Sequence, residues 1–242
     1  KTIYTREARR YYRQILSNIK DAGYIQIESF RIVSQRPGGE EKTVNAFQVN
    51  DTILEADLPE PLPPGGSLKI ELAFYLKVRK FARRAGYRDS QYDFAQWYPK
   101  VCVYDENGWH AEPFHFMGEF YGEFGTFDVT INVPFNYIIG ATGEVTQGDP
   151  GWNLVQVDTS LSKTEWQTEQ TKTKSALLEK SQQGLMRTVT WHAENVHDLP
   201  GSPAPIFSTN RGIGTVSRFT CCIDRGPGTS GVKRFCAGRP GR

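Results

Sequence analysis

The chain has 242 residues, 38% hydrophobic and 12% aromatic, enough to bury a core in one or two domains. No run approaches the roughly 18 apolar residues that a membrane-spanning helix needs, and the opening KTIYTREARR lacks the apolar segment of a signal peptide. The net charge of +2 hides an asymmetry: residues 199–242 carry seven Lys/Arg against one acid, a net +6, which leaves −4 on residues 1–198. Cys102 stands alone, and Cys221, Cys222 and Cys236 crowd into the tail, a spacing that matches neither a zinc site nor a paired disulfide framework. The first residue is Lys1 rather than Met, which fits removal of an upstream segment.

Tyr4, Ala8, Tyr11, Tyr12, Ile15 and Ile19 recur at helical spacing with four arginines between them, so residues 1–23 are expected to form a short amphipathic helix and lead-in. The arginines are expected on a solvated face rather than on nucleic acid. From Tyr24 the period becomes two, with Ile25, Ile27 and Ser29 on one side and Gln26, Glu28 and Phe30 on the other. Pro37-Gly38-Gly39 predicts a turn, AFQVN and TILEADL two short strands, and four prolines between 59 and 64 a stiff loop over residues 59–66. Alternation resumes at Leu68, Ile70, Leu72 and Phe74, and the basic cluster Arg79, Lys80, Arg83, Arg84 and Arg88 finds partners in the acidic run after it. DVTINVPFNYIIGATGEV predicts a β-hairpin broken at Pro134 and Asn136. Residues 161–182 are polar with a thin apolar stripe of Leu161, Trp166, Leu177 and Leu178, which predicts a surface helix, and LMRTVTWHAENVHD returns to strand alternation.

Short strands punctuated by Pro and Gly predict a mostly β protein: an antiparallel sandwich or saddle over residues 24–198, with the amino-terminal helix and the polar helical excursion. From Leu199 onward, 13 of 44 residues are Gly or Pro and no apolar period persists, so residues 199–242 read as a disordered or non-native tail.

Residues 91–145 concentrate the chemistry-bearing side chains. Glu112, Glu119, Glu123 and Asp128 beside Trp109, Phe114 and Tyr121 fit a glycosidase cleft, although alternating acids on strands ordinarily face water. His110 and His115 are five apart around a Pro, and His192 and His197 share that spacing; neither pair lies at the i, i+4 spacing of helical zinc ligands. Hydrogen-bonded histidines are the expectation at all four positions. No G-x-S-x-G, P-loop or G-x-G-x-x-G motif occurs, so no catalytic residue is assigned.

Three stretches, AQWYPKVCVYDENGWHAEPF, GEFYGEFGTFDVTINVP and TWHAENVHD, taken in that order, resemble the amino-terminal domain of the aminopeptidase-N-like zinc metallopeptidases, in particular their secreted bacterial branch. The resemblance spans residues 24–198 and implies a saddle-like antiparallel β domain preceding a thermolysin-like catalytic domain. Family members hydrolyse peptide bonds with a zinc held by two His of a His-Glu-x-x-His helix and a later Glu, and they grip the substrate's amine with a Gly-x-Met-Glu-Asn strand. None of these motifs occurs in this sequence. The resemblance therefore implies a gluzincin fragment with no cofactor or metal ligand of its own, inactive alone, whose intact parent carries zinc, hydrolyses peptide substrates and lies outside the cytoplasm, periplasmic or secreted.

In the family a side-chain amide or carboxylate of the β domain, shortly before a Pro comparable to Pro99, helps bind the substrate's amine. By resemblance Gln96, and after it Gln91, are the substrate-binding candidates; an amide oxygen suits an ammonium. Relatives continue after Asn-Val-His-Asp with Phe-Ala-Trp, whereas this chain has Leu199-Pro200-Gly201. Codons for Phe-Ala-Trp read one base later give Leu-Pro-Gly, so residues 199–242 are expected to be out of frame. Two other readings compete: a free-standing β-sandwich adhesion or carbohydrate-binding module, marked by aromatics lined up on one exposed face, and a glycosidase-like enzyme with carboxylates about 5–10 Å apart across a groove.

Overall fold

The computed structural model describes residues 23–34, 42–80, 85–89, 91–113, 121–198, 200–205, 215–224 and 232–238. The expected amino-terminal helix, the Pro37-Gly38-Gly39 turn and Arg83 and Arg84 of the basic cluster lie outside them. The described residues form antiparallel sheets with one long helix, a mostly β fold. They divide into two units: one takes the described residues within 1–79, 97–123 and 213–242, the other those within 80–96 and 124–212.

In the first unit the longest strands are β1 (Tyr24–Ser34), β4 (Ile53–Leu62) and β5 (Ser67–Lys77). β2 is Lys42–Val44 and β3 Gln48–Asn50. Every second residue of β5 from Leu68 to Leu76 is buried, with Phe74 wholly enclosed, as a half-buried strand requires. β1 departs from simple alternation: its register with β5 shifts between Ile27 and Ser29, so one extra residue turns Phe30 and Ile32 onto the face of Ile25. The sequence places Phe30 opposite Ile25 because a bulge leaves no mark on local period.

The proline-rich segment is also a strand for part of its length, since β4 runs through Pro59 and Pro61 to Leu62 and only residues 63–66 form the turn. Both prolines fall where the ladder is interrupted. β17 (Val232–Gly238) pairs Val232 with Leu62 and then resumes at Arg234 with Asp57, so residues 58–61 lie along a bulge that asks no N–H of a proline. β16 (Thr215–Asp224) lies along β5 from Ser67 to Leu76. The tail, read from sequence as unpacked, thus contributes strands. Val216, Phe219, Thr220 and Ile223 are strand formers, and β5 and β4 each offer an edge to pair with. β8 (Lys100–Val101), β9 (Tyr104–Asp105) and β10 (Gly108–Trp109) complete the unit; the last two form a tight hairpin.

The second unit is built on β14 (Met186–Val196), flanked by β11 (Gly125–Pro134) and β13 (Glu144–Gln147). One face of β14 buries Arg187, Val189, Trp191 and Ala193; the other is polar, with Thr130 and Thr190 hydroxyls 3.0 Å apart. Gly143, at φ +91°, brings β13 onto β14 so closely that a Cβ there would stand 2.1 Å from the His192 carbonyl oxygen. A second sheet joins β12 (Tyr137–Ala141), β15 (Gly201–Pro205), β7 (Gln91–Phe94) and β6 (Ala85–Arg88) in that order.

The expected hairpin of β11 with β12 does not form: β11 pairs with β14, and β12 with β15. The turn between them is held by long-range partners. The Phe135 N–H donates to the Leu185 carbonyl at 3.1 Å, and the Phe135 carbonyl accepts from the buried Arg187. With the turn pinned at its apex, the chain leaves in a new direction.

The polar excursion is α1 (Lys163–Gln182). Ser162 caps it, its hydroxyl accepting from the Glu165 N–H while the Glu165 carboxylate accepts from the Ser162 N–H at 2.9 Å. The Ser162 hydroxyl, which donates to the same carboxylate at 2.6 Å, and then the Ser162 N–H hold Glu165 below the usual carboxylate range. Leu177 is the buried residue of the helix, so little tertiary burial supports it and the cap matters. Ser162→Ala is expected to cost about 1 kcal/mol. Circular dichroism on thermal melting should show helix signal lost earlier than in the parent; an unchanged melt would show the cap to be idle.

Candidate functional site

β7 carries both glutamines that the sequence singles out. Gln91 opens the strand, in register with Arg88 of β6, and its side-chain amide donates to the Asp93 carboxylate at 3.3 Å. Because residues two apart on a strand share a face, this bond lies along the exposed side of β7 and occupies the amide locally.

Gln96 lies just past the strand in a different state. Its φ is +52°, the left-handed region, which costs a residue with a Cβ about 1–3 kcal/mol. A carboxylate holds it there: the Gln96 N–H donates to Asp198 Oδ2 at 2.7 Å, in a half-buried corner. Asp198 lies 102 residues further along the chain, between β14 and β15. Nearby, the Thr142 N–H donates to the Pro200 carbonyl, and Gly201 pairs with Phe94 of β7. The ends of β7 and β14 and the start of β15 thus converge on Gln96. The structure does not bring Gln91 and Gln96 onto one hydrogen-bonded group.

The other candidates resolve one by one. His110 Nε2 stands 2.8 Å from Asp105 Oδ2 across the β9–β10 hairpin, and Asp105 Oδ1 accepts the Asn107 N–H at 2.8 Å. The His110 ring, then the Asn107 N–H, hold Asp105 below the usual carboxylate range. This histidine locks a turn, with Tyr121 edge-on to its ring at 5.0 Å. His192 is bonded through both ring nitrogens, to Asp128 at 2.7 Å and Glu194 at 3.2 Å, leaving neither nitrogen for a metal. His197 packs edge-on against Phe124 at 5.6 Å.

His115, Glu119 and Phe114 lie outside the described residues. Of the acids proposed for a glycosidase cleft, Asp128 faces His192 rather than a second carboxylate. Cys102 is buried. Among the described residues no group of three or more His, Cys, Asp or Glu could hold a metal ion, and no helix is long and apolar enough to cross a membrane.

Sequence reasoning could reach part of this. His192-x-Glu194 is legible as a same-face pair on a strand, whereas Asp128 and Asp198 join their partners only through strand register and chain crossing. Compared with known proteins, the chain matches no family model, no curated protein and no solved structure.

Proposed function

We propose that this chain is a non-catalytic amino-terminal β domain of a zinc aminopeptidase-like metallopeptidase, scaffolding a separate catalytic domain and contacting the substrate's amine through Gln96. Its motif support is the ordered series of stretches at residues 95–114, 118–134 and 190–198, together with the absence from this sequence of any His-Glu-x-x-His or G-x-S-x-G motif. The observation that carries the site is the backbone of Gln96, strained at φ +52° and clamped by Asp198. Strain of this kind is retained where the surrounding structure over-determines it, and such positions cluster at ligand contacts. Gln91, bonded to Asp93, is the weaker of the two candidates.

The test is genetic first. Translating the DNA after codon 198 in all three frames is expected to give a His-Glu-x-x-His segment; its absence overturns the reading. In the protein carrying that segment, Gln96→Ala should lower kcat/KM for peptides with a free amine by about ten- to a hundredfold, the worth of a hydrogen bond to a charged group. Amino-blocked substrates should be unaffected. Equal losses on both would remove Gln96 from the amine site.

A further inference from the structure

Away from the Gln96 corner, one titratable group is ringed by charge on neighbouring strands. His192 lies on β14, the centre strand of its sheet, on the polar face. Asp128 of β11 and Glu144 of β13 stand opposite it in register on either side, and Glu194 follows two residues on along β14. The two ring nitrogens contact Asp128 Oδ1 and Glu194 Oε1. No Lys or Arg of these three strands shares the face; Arg187 is buried on the other one.

An imidazolium donates through both nitrogens, and an ionised carboxylate only accepts, so the arrangement is satisfied only by the protonated ring. A neutral ring has one donor, and its remaining lone pair would then face a carboxylate. Three carboxylates on adjoining positions would also repel with no cation among them. β11, like β13, is an edge strand among the described residues, and β14 is the strand it pairs with. Its pairing with β14 is already irregular between Gly125 and Phe127, next to Asp128.

We propose that His192 is a proton-operated clasp: charged, it ties the edge strand β11 to β14 through Asp128; neutral, it releases the Gly125–Asp128 end of that strand. Asp128 first and Glu194 second raise the His192 pKa above its ordinary 6.5, against a smaller opposing effect of burial. A raised folded-state value means that the clasp is fully formed below the ordinary histidine range and is lost as pH climbs through the raised value.

NMR on the whole chain tests this. The His192 ring is expected to titrate above the ordinary histidine value in the parent, and closer to it in Asp128→Asn. Amide protection factors, corrected for intrinsic exchange, should fall several-fold at Gly125–Asp128 between about pH 6 and pH 9, spanning the histidine range, while Val189 and Trp191 stay protected. In His192→Gln, whose amide donates at every pH, that fall should vanish. A His192 titration at or below the ordinary value, protection at Gly125–Asp128 that ignores pH, or a fall that survives in His192→Gln would each overturn the clasp.

Discussion

Replacing Arg187 by Met is expected to lower stability by about 2–5 kcal/mol, because two backbone carbonyls lose their charged donor at about 1–3 kcal/mol each. Arg187 is 4% exposed. Its Nη1 donates to the Asp149 carbonyl at 2.6 Å and to Asp149 Oδ2 at 3.1 Å, while Nη2 donates to the Phe135 carbonyl at 3.2 Å. The guanidinium also lies over the Phe135 ring, 4.8 Å from its centre, and Gly151 leaves room for it: a Cβ there would sit 3.2 Å from Cζ.

One side chain thus fastens two turns, at residues 135–136 and 149–151, to the start of β14. Met keeps much of the stem's volume and removes every donor, stranding two carbonyls. The Asp149 side chain, 67% exposed, can return to water, so the loss falls on the carbonyls and the ring contact rather than on the ion pair. Arg187→Lys should recover only part, because an ammonium cannot span both carbonyls as the planar fork does. Urea unfolding followed at constant m-value measures both; a Met variant with the parent's midpoint would show the network to be dispensable.

Where the sequence misleads, the cause is the same in each case: partners far away in the chain. β5 and α1 are legible because their determinants are local, an unbroken alternation in one and a Ser162/Glu165 box with helix formers in the other. β1 loses its predicted phase to a bulge. The β11–β12 hairpin has the right turn residues and still does not close, because Leu185 and Arg187 capture Phe135. The prolines of β4 read as loop until β17 is seen to skip the residues around them.

The candidate site divides along the same line. Gln96 could be nominated by resemblance, but its left-handed backbone and its Asp198 partner, 102 residues away, could not be read from the sequence. Of the acids that read as a cleft in sequence, register sets Asp128 against the His192 imidazole, beside Glu144 and Glu194, which the cleft reading did not include.

Trp191→Ala is expected to cost about 3–5 kcal/mol, as for other large-to-small changes in a packed core. Trp191 is 1% exposed, sits between Val129 of β11 and Val145 of β13 in register, and packs on Trp152 with ring centres 5.7 Å apart. Truncation would open a cavity under the central strand. It would also leave Trp152, already 48% exposed and tethered by its Nε1 donating to the Ile139 carbonyl at 2.9 Å, without the ring it rests on. Trp191→Phe separates volume from polarity. The Trp191 Nε1 is buried without a hydrogen-bond partner, an arrangement that costs about 1–3 kcal/mol. Phe gives up part of the contact area but removes that unsatisfied N–H, so the two effects offset and the Phe variant should lie within about 1 kcal/mol of the parent. Chemical denaturation of the two variants reads the contrast directly. If Phe proved as damaging as Ala, the indole N–H would have to be supplying an interaction, and the packing account of β14 would fail.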